Sequence, residues 1–129
     1  MGHRLRVLAA LVLVIGLGLA SRAYDGLFIR ALGKYPGDAL WTVAAYLAWK
    51  LVVPTMAPRK LGLAAMGLSF LVEFLQLYHA PWLDAIRGNR LGHLFLGSTF
   101  NPMDLLAYTV GGCAAVLLDS RMARRARVR

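Results

Sequence analysis

Residues 61–78 read LGLAAMGLSFLVEFLQLY, an apolar run interrupted by one carboxylate, Glu73. The run is close to the ~20 residues that a helix needs to cross the hydrocarbon core of a bilayer. Nothing in it alternates with a period of two, as a barrel strand would. Backbone groups in lipid must also be satisfied within their own segment, which leaves a helix. A carboxylate is costly at that depth and marks either a site or an ion pair. Ser69, four residues before Glu73, and Gln76, three after, share its face. The spacing predicts a polar stripe turned toward other helices rather than toward lipid.

Outward from this run lie three more spans, at residues 5–22, 38–56 and 103–119. The whole chain is 59% hydrophobic and 16% charged, with mean hydropathy +0.59, more apolar than a soluble domain of this length can bury. The expected fold is all-α: an integral membrane four-helix bundle, a single domain over residues 1–129. The first span has a second reading. Arg4 and Arg6, an apolar stretch and Ser21-Arg22-Ala23 resemble a cleavable secretory signal. The next span follows so closely that a helical hairpin is preferred.

Orientation follows from lysine and arginine. With the N-terminus inside, the inner segments hold Arg4, Arg6, Arg59, Lys60, Arg121, Arg124, Arg125, Arg127 and Arg129. The outer loops hold Arg22, Arg30, Lys34, Arg87 and Arg90. Both termini are expected in the cytoplasm. Lys50, near the inner end of the second span, reads as an interface anchor. The net charge of +9 is concentrated in a basic tail at 120–129, beside a membrane helix and without interleaved aromatics. It reads as a contact for anionic lipid, not nucleic acid. The single cysteine, Cys113, reads as a small buried hydrophobe; no metal-ligand spacing is present, and no cofactor is expected.

The fourth span opens Asn101-Pro102-Met103-Asp104, with a capping residue, proline at the first helical position and a carboxylate where the helix dipole favours it. Asp104 reads as a cap. Tyr108, one turn on, shares its face, so both can join Glu73 in one pocket. Ala107, Gly111 and Ala115 offer small residues every fourth position for close helix packing. Between the third and fourth spans, HAPWLDAIRGNRLGHLFLGSTF at residues 79–100 is too short and polar to cross. An interfacial or re-entrant segment is expected there, with Trp82 at headgroup depth and Asp84 paired to Arg87 at i,i+3. Arg87 and Arg90 suit an anion, or a partnership with Glu73. His93 reads as an interfacial residue. In the first outer loop, residues 26–32 predict a short surface helix, and Asp38 caps the second span.

The stretches SRAYDGLFIRALGKYPGDALW, FLVEFLQLYHAPWLDAIRGNRLGHLFLG and FNPMDLLAYTVGG resemble a bacterial family of small membrane proteins carried under a domain-of-unknown-function label. More loosely, the order Glu73, Gln76, then Arg87 or Arg90, Asp104 and Gly111 resembles VanZ-like membrane proteins, whose namesake is linked to teicoplanin resistance. The resemblance implies Glu73, Gln76, Arg87 and Asp104 as the matching polar set. A longer loop before Asp104 departs from that pattern.

The functional expectation is a non-enzymatic, VanZ-like protein of the bacterial inner membrane. It would bind an anionic or amphiphilic envelope ligand, lipid-linked ones included, at an outer-leaflet site of Glu73, Gln76, Arg87, Arg90, Asp104 and Tyr108. Membrane lipids are the other expected partners. The alternatives are a scaffold whose intramembrane charges only join helices and a small proton-coupled transporter using Glu73. An intramembrane enzyme lacks a nucleophile arrangement.

Overall fold

A computed structural model describes residues 2–23, 35–89, 92 and 102–128. These form helices α1 (Gly2–Ala23), α2 (Tyr35–Val52), α3 (Pro58–Leu75), the short α4 (Pro81–Arg87) and α5 (Pro102–Val128), with no strand among the described residues. The fold is all-helical. Proline sits at or next to the start of α2, α3, α4 and α5, where a missing N–H costs nothing and the fixed φ is already helical.

The α2 helix lies at the centre and packs on α1, α3 and α5, while α3 also packs on α5. Contacts fix the directions. Gly18 of α1 approaches Leu40 and Ser21 approaches Gly37, so α1 and α2 are antiparallel. Thr42 meets Ser69, Glu73 meets Tyr108 and Tyr46 meets Asp119, so α3 runs back past α2, and α5 runs parallel to α2. The start of α1, the end of α2, the start of α3 and the end of α5 therefore share one end of the molecule. That end carries the basic segments.

Burial departs from that of a soluble domain: beside a core of Tyr46, Leu61 and alanines, polar residues are buried and many large apolar ones are exposed. Asp38, Thr42, Ser69, Glu73, Gln76, Arg87 and Asp104 are buried, whereas Leu5, Val12, Leu13, Leu63, Leu71, Phe74, Leu106 and Val110 are exposed. Residues of these types ordinarily occupy the opposite positions in water. Two helices, α1 over Gly2–Ser21 and α5 over Pro102–Val128, are long and apolar enough to cross a membrane.

Close packing rests on small residues. A Cβ at Gly111 would collide with the Ala39 carbonyl, one at Gly62 with Val116, and one at Gly112 with Met66. Ala107, Gly111 and Ala115 are buried, as their four-residue spacing predicts. The same stripe turns Cys113 outward: it is exposed, not buried, because position 113 falls on the far side of α5 from 107, 111 and 115. Helix α2 begins three residues before the expected boundary at 38, and α3 spans 58–75 rather than 61–78. Helix α5 continues through the basic tail to Val128, since its alanines and arginines are good helix formers. The expected surface helix at 26–32 lies outside the described residues.

Candidate functional site

Helix periodicity brings three of the chain's six acidic residues into one end of the packing. Asp38 comes from the first turn of α2, Glu73 from the last turn of α3 and Asp104 from the first turn of α5. All three are buried, Glu73 completely at 0% exposure. The Tyr108 hydroxyl donates to Glu73 Oε2 at 3.1 Å. Glu73, Asp38 and Asp104 all lie within electrostatic reach of that hydroxyl. One turn further in, Ser69 Oγ donates to the Ala65 carbonyl at 2.9 Å and meets Thr42 Oγ1 at 2.9 Å. A hydroxyl has one hydrogen, so Thr42 is the donor to Ser69. Gln76, at the C-terminal cap of α3, is buried beside this group.

Arg87 approaches from α4. The chain turns at His79-Ala80-Pro81, and α4 folds back so that Arg87 meets the end of α3. Its Nη1 donates to the Tyr78 carbonyl at 2.8 Å and its Nη2 to the Leu75 carbonyl at 2.5 Å. A 3.3 Å contact to Asp84 Oδ1 forms the expected i,i+3 pair. The side chain is 4% exposed, and among the described residues Arg87 is the one basic residue fully buried. Its role is that of a C-terminal cap: the last turn of α3 has already tightened to i→i−3 bonds at Gln76, Leu77 and Tyr78, and the guanidinium takes carbonyl capacity the helix leaves over. The sequence pairs Glu73 with Arg87 or Arg90, and Glu73 is not among Arg87's described contacts. Arg90 and His93 lie outside the described residues, as does Asn101.

The opposite end holds a second polar group that sequence reading missed. Lys50 Nζ pairs with Asp119 Oδ1, and the Tyr46 hydroxyl donates to Asp119 Oδ2 at 2.5 Å. Lys50 is thus an ion-pair partner and not only an anchor, because α5 runs far enough beside α2 to bring Asp119 to it. The available signal was the four-residue spacing from Tyr46 to Lys50 and a lone acid just beyond the apolar run of α5.

Of the site residues expected from sequence, Glu73, Gln76, Asp104 and Tyr108 converge from α3 and α5, and Arg87 closes the end of α3. Asp38, Thr42 and Ser69 complete the group, with Asp38 more than a cap. Among the described residues, no cluster of three or more His, Cys, Asp or Glu side chains is placed to hold a metal ion. The arrangement is a buried, acid-rich group whose Thr42, Ser69 and Tyr108 hydroxyls donate within the protein.

The molecule so defined is an all-helical protein with apolar helices outside and a polar cluster inside. The chain belongs to the DUF2809 family, proteins of unknown function, whose model matches residues 28–112. The match takes in α2, α3 and α4 and the first turns of α5, including Asp38, Glu73, Gln76, Arg87, Asp104 and Tyr108. No solved structure matches the chain.

Proposed function

We propose that the chain is a multi-pass protein of the bacterial inner membrane, a four-helix membrane bundle with both termini in the cytoplasm. It holds an amphiphilic envelope ligand at an outer-leaflet site of Glu73, Gln76, Arg87, Asp104 and Tyr108, with Arg90 in the same reading, and performs no chemistry on it. The observation that carries this reading is the fully buried Glu73, hydrogen-bonded to Tyr108, in a chain whose large apolar side chains face outward. An ionisable residue kept inside a membrane helix is functional by default. The basic residues gathered at the other end support a cytoplasmic location for the termini. The VanZ-like order of Glu73, Gln76, Arg87 and Asp104 is a further support.

Of the anionic or amphiphilic ligand expected, the acid-rich lining supports an amphiphile whose head group donates hydrogen bonds. Asp38, Glu73 and Asp104 are buried together as hydrogen-bond acceptors, and both terminal nitrogens of Arg87 donate to carbonyls. Native mass spectrometry of gently extracted protein tests the reading. Wild type is expected to retain a bound amphiphile, and Glu73→Gln to fold equally well and lose it. Wild type free of any bound amphiphile, or Glu73→Gln retaining it unchanged, would leave the scaffold reading, in which the polar groups only join helices.

A further inference from the structure

At the end of the molecule away from the acid-rich group, the starts of α1 and α3 share a level with the end of α5. The close approach of Gly62 to Val116 sets the first turns of α3 beside that end. Each helix brings exposed bases: Arg4 and Arg6 from α1, Arg59 and Lys60 from α3, and four arginines between residues 121 and 127 of α5. One acid stands on these segments, Asp119. It is 15% exposed, with Lys50 on one carboxylate oxygen and the Tyr46 hydroxyl on the other. The surface at this end therefore carries a single sign of charge, contributed by three separate helices.

Depth and composition indicate what meets that charge. Helix α5 has 27 residues, about 40 Å at 1.5 Å per residue. The hydrocarbon core of a bilayer takes about 30 Å, and its head-group layers bring the whole to about 40–45 Å. The first turn of α5 is held in the packing by Asp104, so the excess length falls at residues 121–128 and puts their arginines at head-group depth. Exposed apolar side chains stand among the bases, Met122 and Val128 on α5, Leu5 on α1 and Leu63 on α3. That mixture suits the boundary between acyl chains and phosphates. The exposed aromatic side chains among the described residues, Phe74, Tyr78 and Trp82, belong to the opposite end, so a nucleic acid would find charge here without stacking faces.

We infer that this basic end is a docking surface for the phosphates of anionic phospholipids in the surrounding leaflet, assembled from α1, α3 and α5 together and not from the C-terminal segment alone. Guanidinium groups offer forked donors that match phosphate oxygens. On α5, Arg121, Arg124 and Arg125 are spaced i, i+3 and i+4, within one turn of each other, so one phosphate can meet more than one base. The Lys50–Asp119 pair serves the surface by taking the acid at this end out of competition for those bases. The inference rests on the membrane placement proposed above and not on the amphiphile at Glu73.

The test reconstitutes the full chain in phosphatidylcholine vesicles holding spin-labelled phosphatidylglycerol or spin-labelled phosphatidylcholine, and electron paramagnetic resonance reads the protein-bound fraction of each. Wild type is expected to prefer phosphatidylglycerol about tenfold, and Arg59→Gln with Lys60→Gln, or Arg124→Gln with Arg125→Gln, to lower that preference about threefold. Arg124→Lys with Arg125→Lys keeps the charge and should keep the preference. All four positions are exposed, and circular dichroism checks that each variant keeps its helices. Equal binding of the two lipids by wild type would overturn the inference, and so would a preference that both glutamine variants retain in full. A preference lowered by the α5 pair alone would overturn the three-helix assembly. Wild type without the lipid preference that instead binds a fluorescent single-stranded oligonucleotide would assign the surface to nucleic acid. A chain stripped from the vesicles by alkaline carbonate overturns the membrane placement as well, whereas one that resists stripping and shows no preference overturns this inference alone.

Discussion

The two ends of the packed helices bury polar groups on different terms. Near the end of α2, one base meets one acid, Lys50 with Asp119, and a tyrosine hydroxyl occupies the second carboxylate oxygen. At the start of α2, Asp38, Glu73 and Asp104 gather around Tyr108, and Arg87, the buried cation among the described residues, directs its terminal nitrogens at backbone carbonyls and Asp84. A balanced pair is what a structural clamp between two helices requires. Three acids gathered in one interior are not the one-acid, one-base pairing that such a clamp uses. The comparison teaches that burial alone does not identify a site: among the described contacts one end sets an acid against a base, and the other gathers three acids around a tyrosine hydroxyl.

The largest expected effect removes both regions together. Gly111→Leu drives a side chain into the Ala39 backbone and forces α5 from α2, a loss of about 3 kcal/mol. Leu118→Ala, on an exposed face, should cost no more than about 0.5 kcal/mol. Thermal unfolding in detergent measures both, and equal stability would break the packing argument. Next comes the clamp: Lys50→Met strands the Asp119 charge and should cost about 2 kcal/mol, while the double change with Asp119→Leu recovers most of it. A double-mutant cycle without coupling would mean the pair contributes nothing.

At the other end, Arg87→Leu removes donors from two carbonyls and should cost about 1–2 kcal/mol. Amide exchange should report the loss locally, at Tyr78, whose N–H bonds the Leu75 carbonyl at 3.0 Å. Within the acid-rich group the effect of Tyr108→Phe is smaller, about 1 kcal/mol for one hydrogen bond, with ligand retention falling more than stability does. If Tyr46→Phe lowered ligand retention as much as Tyr108→Phe, the distinction between the two ends would not hold.

The sequence made the helices legible because apolar runs and prolines punctuate it at nearly every boundary. It also exposed half of the acid-rich cluster: Ser69, Glu73 and Gln76 share one face of α3, and Asp104 and Tyr108 share one face of α5, and periodicity is local information. The clamp was not legible, because Lys50 and Asp119 are 69 residues apart and nothing local joins them; only the length of α5 beside α2 does. Asp38 looked like a cap for the same reason, since its burial comes from helices elsewhere in the chain. Arg87 was assigned to an anion or to Glu73 on charge, whereas backbone carbonyls at a helix end, invisible in a residue-type pattern, compete for the same guanidinium. Cys113 was misjudged by composition: flanking glycines suggested the core, but helical phase puts it outside.

The capping of α3 by Arg87 also bears on how the chain is made. Leu75 and the side chain that completes its carbonyl are 12 residues apart, so a nascent chain halted just short of residue 87 has an α3 whose last turn is unfinished. Synthesis through Arg87 is then needed before the last turn of the third helix is completed, and the α3–α4 hairpin forms as one unit. A chain truncated between residues 78 and 86 should leave that hairpin open to protease, and one extended past Arg87 should close it.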